Sequence, residues 1–581
     1  MVATTDPHDR RRFVPRHVGP NILPSSTLFT RMTRFAHRPD HIAIKDLRFG
    51  VTADYAQVLT DVLHIRNQLR KTLPVDILAR LDGDEEVFIN LLGPGGYEYT
   101  VGFLAIFALG AVVVPLCKLC SYVLMYREAS LSYRTNDMQA PDLPVKEAAT
   151  LIQICRADAM LVSDISVPLA TELVSLISAT SKPGYTLTKI REHILNPKME
   201  PSKILVSSDH VLEGEGSGTT GPPKGAVRRR SFLTETSFMM ADQYGISEGD
   251  VILHTLPVHH ITGISNQIPF LLVGGCIEFR SGGFNTEWTW ERIRQGGLAY
   301  FTGVPTIYMR LMQHYENTLS KIPREQHDEY VKGIRGFKAL LCGTSALPRP
   351  LQQKWTKLRG GKSILTRYGG TEFGSGFQVP IYEQGVPDGS VGVIVPGVDL
   401  KLSNGDEGEI LLKSPLSFSK YLFDPETTAN AHDADGYFKT GDIARREGKY
   451  YFILGRASVD IMKSGGYKLS ALDIEREILG LEYVSEVMVV GVEDEEFGQR
   501  VAAAIVLRNG TKQSLTLEEL RKDLRQTLAG YKMPTILRVV KELPKNATGK
   551  VQKKKLTPEM FPAGGHPDVQ TWKRTSRSTK L

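Results

Sequence analysis

Between residues 41 and 205 short apolar runs alternate with helical stretches. Val87 to Leu92 and Met160 to Val162 are such runs, and Tyr55 to Leu69 is such a stretch. Runs of this length read as strands buried on both faces, with the intervening helices as their cover. The alternation predicts parallel sheet flanked by helices. Residues 99–117 carry no charge, which approaches the length of a membrane span. Gly110 and Pro115 interrupt that stretch, and Val112-Val113-Val114 favours a strand. A buried helix turning into a buried strand is expected there, with no membrane span.

A chain of 581 residues is too long for one core, so two or more domains are expected. Residues 1–40 read as a poorly ordered segment, 41–457 as the main domain, 458–558 as a smaller unit and 559–581 as a tail. Within the main domain, residues 117–143 break the alternation. They form an insertion of about two dozen residues, long for a connecting loop and expected to be poorly ordered. From Gly397 to Ile410, hydrophobic alternation around Asn404-Gly405 predicts a hairpin. In the second unit, helices are expected at Ala471 to Leu479 and Leu517 to Ala529, and strands at Val487 to Val492 and Ala502 to Leu507.

Bulk chemistry narrows the function. The composition, 41% hydrophobic and 23% charged, is that of an ordinary soluble enzyme. The net charge of +7 helps attract anionic substrates without calling for nucleic acid, and the basic run Lys553 to Lys555 reads as a solvated face. Five cysteines (Cys117, Cys120, Cys155, Cys276, Cys342) fit a reducing compartment, and the single C-x-x-C has no second pair with which to build a zinc site. Arg10, Arg11, Arg12 and Arg16 precede no apolar signal core, and Asp6 and Asp9 count against a mitochondrial presequence. The final Thr579-Lys580-Leu581 differs at one position from the peroxisomal Ser-Lys-Leu. The cytoplasm is the expected location, with peroxisome and mitochondrion as alternatives.

Residues 217–225 read Ser-Gly-Thr-Thr-Gly-Pro-Pro-Lys-Gly. Gly218, Gly221 and Gly225 let backbone N–H groups approach a ligand closely. Ser217, Thr219 and Thr220 add hydroxyl donors and Lys224 a mobile positive charge. These groups suit a polyphosphate, although Pro222 and Pro223 depart from the G-x-x-x-x-G-K-[ST] pattern. The competing reading is a plain surface linker. Further along stand Tyr368-Gly-Gly-Thr-Glu372, Thr440-Gly-Asp442, Gly455-Arg456 and Asn546-Ala-Thr-Gly-Lys550.

In this order and spacing, the five segments resemble the adenylate-forming (AMP-binding) superfamily of acyl-CoA synthetases, luciferases and peptide-synthetase adenylation domains. The resemblance runs from about residue 40 to about residue 556. It implies an α/β fold: a large N-terminal domain of parallel and mixed sheets flanked by helices, a β-barrel-like part, and a small mobile α+β C-terminal domain. It implies ATP, Mg²⁺ and CoA as cofactors. Ser217 to Lys224 would clamp the β- and γ-phosphates. The backbone of Cys342-Gly343-Thr344-Ser345 would frame adenine, the Tyr368 ring would lie against it, and Gly369 would follow. Thr371 would meet the α-phosphate and Glu372 would hold Mg²⁺. Asp442 would accept the ribose hydroxyls beside Arg456, and Lys550 would bridge carboxylate and α-phosphate during adenylation. Gly465 and Gly466 would line the CoA channel after rotation about the hinge at Ser458, where the family usually carries Asp or Lys.

Pro257 to Gly263, Gly303 to Arg310 and Ser458 to Ala471 look most like the malonyl-CoA synthetase group. His260, Thr262, Arg310, Arg367 and Gly370 are the acyl-pocket candidates, with either arginine suited to a remote carboxylate or to a structural ion pair. Thr262 stands where that group tends to have a second histidine. Gly370 replaces a larger residue and is expected to enlarge the pocket toward another di- or tricarboxylate. Gly216 replaces the usual threonine, and Glu213 and Glu215 lie near the phosphates, where they would weaken ATP binding. The expected function is ATP-dependent ligation of a small di- or tricarboxylic acid to CoA. A free acyl-carrier protein as acceptor and a degenerate nucleotide-binding protein are the alternatives.

Overall fold

The computed structural model describes residues 19–83, 85–116, 145–180, 185–207, 215–218, 226–229, 231–280, 284–343, 347–508, 510–545 and 551–572. Phe88–Leu92 is buried along its whole length and pairs in parallel with Val112–Leu116 on one side and Ala159–Val162 on the other. Thr186–Lys189 extends this parallel sheet. The uncharged stretch is the wholly buried helix Tyr97–Leu109, which stops at left-handed Gly110 and leads into Val112–Leu116. It packs against Tyr55–Thr72, a helix whose N-terminus is closed by the Asp54 carboxylate accepting from the Gln57 N–H at 2.8 Å. Among the described residues, no helix is long and apolar enough to cross a membrane.

A larger sheet carries a parallel run through Leu365–Gly370, Ala339–Cys342, Tyr300–Gly303, Val251–His254, Cys276–Phe279 and Ile42–Asp46. Antiparallel strands close both edges, Gly374–Gln378 and Val393–Ile394 at one and Val51–Asp54 at the other. In such a sheet the carboxyl ends of the strands are where ligands gather. The expected hairpin is present as Asp399–Leu402 paired with Glu407–Lys413, and Phe438–Glu447 and Tyr450–Arg456 extend it. A small sheet joins Glu215–Gly218, Ala226–Arg229 and Lys420–Tyr421. The architecture is that expected from the sequence: a large N-terminal assembly of sheets and helices followed by an α+β C-terminal unit.

Two terminal expectations need correction. Residues from Gly19 onward are not a loose leader: Ile22–Leu23 pairs with Leu205–Val206, and helix Thr27–Ala36 buries Leu28, Phe29, Met32 and Phe35 in the main core. Its apolar residues recur at helical spacing, a signal overshadowed by the arginines before it. The first part of the C-terminal tail, as far as residue 572, also folds, since Phe561 is buried and Val569–Thr571 pairs with Ile536–Val540. The helix expected to Ala529 ends as an α-helix at Asp523 and tightens into a 3₁₀ turn, Leu524–Gln526. The insertion at 117–143 lies outside the described residues.

The C-terminal unit is fastened by a buried ion cluster. Lys553 Nζ lies 2.7 Å from Asp460 and 2.8 Å from Glu475. Glu475 also accepts from the Val489 N–H at 2.7 Å, and Asp460 from the Arg456 N–H at 3.0 Å. Burial raises the Glu475 pKa and the lysine opposes that shift. Removing Lys553, expected from the sequence to sit on a solvated face, leaves the two carboxylates without their cation. Lys553→Ala is therefore expected to cost about 3–5 kcal/mol of stability, read by urea unfolding. A change under about 1 kcal/mol, the scale of an exposed pair, would mean the cluster is effectively solvated.

Candidate active site

The site grows from one strand. Leu365–Gly370 lies antiparallel to Gly374–Gln378 with Arg367 opposite Gln378 and Tyr368 opposite Phe377. Successive side chains on a strand point to opposite faces, so Arg367 and Tyr368 serve different neighbourhoods.

On the Tyr368 face, the ring centroid lies 5.7 Å from that of Phe373 and 5.6 Å from that of Phe377. The Tyr368 hydroxyl donates to Asp442 Oδ2 at 2.8 Å, and Arg456 Nε donates to Asp442 Oδ1 at 2.8 Å. Asp442 and Arg456 are register partners on Phe438–Glu447 and Tyr450–Arg456, which fixes their meeting. The Asp442 N–H donates to Thr440 Oγ1 at 3.1 Å, and Thr440 in turn donates to the Ile410 carbonyl at 2.9 Å. The bond to Asp442 raises the Arg456 pKa and holds its cation firmly charged. Each carboxylate oxygen keeps a second lone pair, so Asp442 can still accept from a diol. The fold thus brings together Tyr368, Asp442 and Arg456, three residues far apart in the chain.

Glu372 is buried, 7% exposed, and accepts from the Tyr421 hydroxyl at 3.0 Å. Its carbonyl accepts from the Phe418 N–H at 2.6 Å. No cluster of three or more metal-ligating side chains occurs among the described residues. A lone carboxylate suits Mg²⁺, which is commonly held by one or two carboxylates together with substrate phosphates. Ser217 and Gly218 lie on strand Glu215–Gly218. Thr219, Thr220, Gly221, Lys224, Thr344, Ser345 and Lys550 lie outside the described residues, as does Glu213.

On the other face, Arg367 is half-buried and its Nη2 donates to Asn266 Oδ1 at 3.0 Å. Asn266 Nδ2 donates to the Thr262 carbonyl at 2.5 Å, so Thr262 and Arg367 are joined through a residue that the motifs do not mark. A Cβ on Gly343 would sit 3.3 Å from the Arg367 side chain, so the glycine leaves room for the arginine stem. His260 is half-buried at the start of the short helix Ile261–Ser265, its ring 4.6 Å from that of His259. Burial pushes the Cys342 thiol up to about 12, which leaves it an inert neighbour. Arg310 does not join this group as a desolvated cation. It is exposed on helix Pro305–Asn317, whose buried face is Tyr308, Leu311 and Met312.

Gly370 corrects a second expectation. A Cβ there would lie 2.5 Å from the Phe373 ring. The space a larger residue would occupy is therefore filled by Phe373, and Gly370 does not enlarge the pocket on that side. Gly465 and Gly466 form the exposed turn between Ile461–Ser464 and Tyr467–Ser470, where the Gly465 N–H donates to the Phe497 carbonyl at 2.9 Å. Ser458 is exposed in the turn between Arg456 and Asp460.

A large α/β unit in which Tyr368, Asp442 and Arg456 meet near the buried Glu372, followed by a small α+β unit, is the architecture of an adenylate-forming enzyme. The chain belongs to the AMP-binding enzyme family as an AMP-forming acyl-CoA synthetase, which uses ATP, Mg²⁺ and CoA: the family model matches residues 32–422, and the model of the AMP-binding enzyme C-terminal domain matches residues 473–550. It is 33% identical to a malonate–CoA ligase of Arabidopsis thaliana over 89% of this chain and 86% of that one. It is 34% identical to the mitochondrial malonate–CoA ligase of Homo sapiens over 93% of each chain. ATP-bound MatB from Rhodopseudomonas palustris has the same fold, with a TM-score of 0.72, 24% identity and coverage of 92% of this chain and 98% of that one.

Two substitutions probe this geometry. Asp442→Ala is expected to weaken ATP binding by about 1–3 kcal/mol, the range for a lost charged hydrogen bond, as measured by calorimetry. An unchanged dissociation constant would remove Asp442 from the nucleotide site. Gly370→Ala forces the Phe373 ring to move, so a stability loss of about 1–3 kcal/mol is expected, with recovery in Gly370→Ala/Phe373→Leu. Equal melting temperatures for wild type and the alanine variant would show that the ring moves aside without cost.

Proposed function

We propose that the acid is a small dicarboxylate close to malonate in size, activated as its acyl-adenylate and passed to CoA. The observation that carries this reading is the half-buried Arg367, held by Asn266 on the face of Leu365–Gly370 opposite Tyr368. One strand would then present nucleotide to one face and acid to the other, with the reacting carboxylate between them. A guanidinium removed from bulk water is a strong partner for a remote carboxylate. The volume beside Gly370 taken up by Phe373 favours a compact acid over a tricarboxylate, and the names of the relatives point the same way.

In this reading Asp442 receives the ribose hydroxyls and Arg456 steadies it. Thr371 meets the α-phosphate. Glu372 holds Mg²⁺, which neutralises phosphate charge when bound. Lys550 brings a compact cation on a flexible stem to the attacking carboxylate, a transient role that suits lysine. Gly465 and Gly466 admit the thiol arm of CoA after the C-terminal unit turns at Ser458, a switching motion of ordinary kind.

The test is an acid panel with ATP, Mg²⁺ and CoA. AMP and pyrophosphate should appear together, with malonate or a near neighbour preferred. Arg367→Ala leaves the remote carboxylate without its cation, so kcat/KM for the dicarboxylate should fall about 100-fold or more while a monocarboxylate of equal length changes far less. A wild-type preference for acetate or a fatty acid over every dicarboxylate would overturn the substrate assignment.

A further inference from the structure

No motif draws attention to Arg228, yet it is among the most deeply buried charges in the chain, 3% exposed. It lies on Ala226–Arg229, the strand that leaves the phosphate loop. Its Nη1 donates to the Thr371 carbonyl and its Nη2 to the Leu416 carbonyl at 2.8 Å. The guanidinium carbon stands 3.4 Å from the centre of the Phe232 ring, and Nε finds no acceptor among the described residues. Directly across the antiparallel pair is Gly216. Glu372 is the carboxylate whose field acts on this cation, and it works against the burial that lowers the arginine pKa.

Burying a guanidinium costs several kcal/mol, and apolar residues of similar volume often replace buried ion pairs without loss. Two carbonyls and a phenyl ring offset only part of that cost, so folding alone gives little reason for a charge here. The position gives one. Thr371 and Glu372 are adjacent, and Arg228 holds the carbonyl of the first while its charge faces the carboxylate of the second. Tyr421, which pairs with Ala226 on the adjoining strand, also holds the Glu372 carboxylate.

We propose that Arg228 is a positioning residue for adenylation, clamping the Thr371–Glu372 turn to the strand that leaves the phosphate loop and setting a fixed positive charge beside the carboxylate that receives the divalent cation. The inference rests on the roles proposed above for Thr371 and Glu372. It has two separable consequences. The clamp keeps the Thr371–Glu372 turn fixed against Ala226–Arg229, which supports the rate of the first half-reaction. The charge competes with Mg²⁺ for Glu372, so it makes the cation bind more loosely than it otherwise would.

The experiment compares wild type, Arg228→Met and Arg228→Lys by pyrophosphate exchange with the acid that wild type turns over best, across a Mg²⁺ series. It also measures ATP binding by calorimetry with and without Mg²⁺, and thioester formation from supplied acyl-adenylate. Arg228→Met should lower exchange about 10-fold or more, shift the Mg²⁺ midpoint about 3-fold toward lower concentration, and leave thioester formation within about 2-fold, a split that a general loss of structure does not produce. Calorimetry should show the same tightening as a larger gain in ATP affinity on adding Mg²⁺. Arg228→Lys keeps the charge but cannot span both carbonyls, so its exchange should fall while its Mg²⁺ midpoint stays. If Arg228→Met does not fold, Arg228→Lys decides the clamp: exchange equal to wild type overturns it. Parallel loss of both half-reactions, or a Mg²⁺ midpoint that rises or stays fixed in Arg228→Met, overturns the proposal. Absence of exchange with every acid in wild type would instead sink the ligase assignment, and the calorimetric comparison would still read the effect of Arg228 on Mg²⁺.

Discussion

The carboxylate of Asp442 ties the large sheet to the antiparallel sheet that precedes the C-terminal unit. One oxygen accepts from Tyr368 on the large sheet and the other from Arg456 at the end of the antiparallel sheet. Arg456 is followed at once by the turn that opens the C-terminal unit, and its N–H reaches Asp460, which is bound to Lys553. A short chain of charged hydrogen bonds therefore runs from the Tyr368 face of the large sheet into the second unit. Charge-assisted bonds of this length are about twice as strong as neutral ones. Whatever takes hold of Asp442 acts on a group that both units share.

The pleat of Leu365–Gly370 does a second piece of work. Two adjacent residues separate by nothing more than strand alternation, Tyr368 toward the aromatic cluster and Arg367 toward Asn266. An enzyme that joins a nucleotide to an acid needs the two close but not mixed, and on the reading proposed above a single strand with a ligand on either side would meet that need with little added structure. Strand ends of a parallel sheet are suited to this because their neighbours are already fixed by the core beneath.

Much of this was legible in the sequence. Short apolar runs gave the parallel strands, Asn404-Gly405 the hairpin, and the spaced motifs the convergence of Tyr368, Asp442 and Arg456. The motifs are legible because their residue types are dictated by ligand chemistry. Asn266 and Arg228 were not, because each acts through the backbone or side chain of another residue and carries no spacing signature. The first helix was hidden by the basic stretch before it, and the last strand by its short length and lack of apolar alternation. Arg310 reads well in sequence but lies on the exposed side of its helix, a distinction that motif spacing alone leaves open.

The contact between Gly370 and Phe373 bears on how enzymes of this shape change over time. The two positions share one volume, three residues apart across a turn. A bulkier residue at 370 has nowhere to go until 373 has shrunk, whereas a smaller residue at 373 opens a void that 370 can later fill. Evolutionary routes between packings of this turn are therefore ordered, passing through a cavity rather than a clash. Grafting one position from a homologue samples the forbidden corner of that two-residue landscape, and the exchangeable unit is the pair.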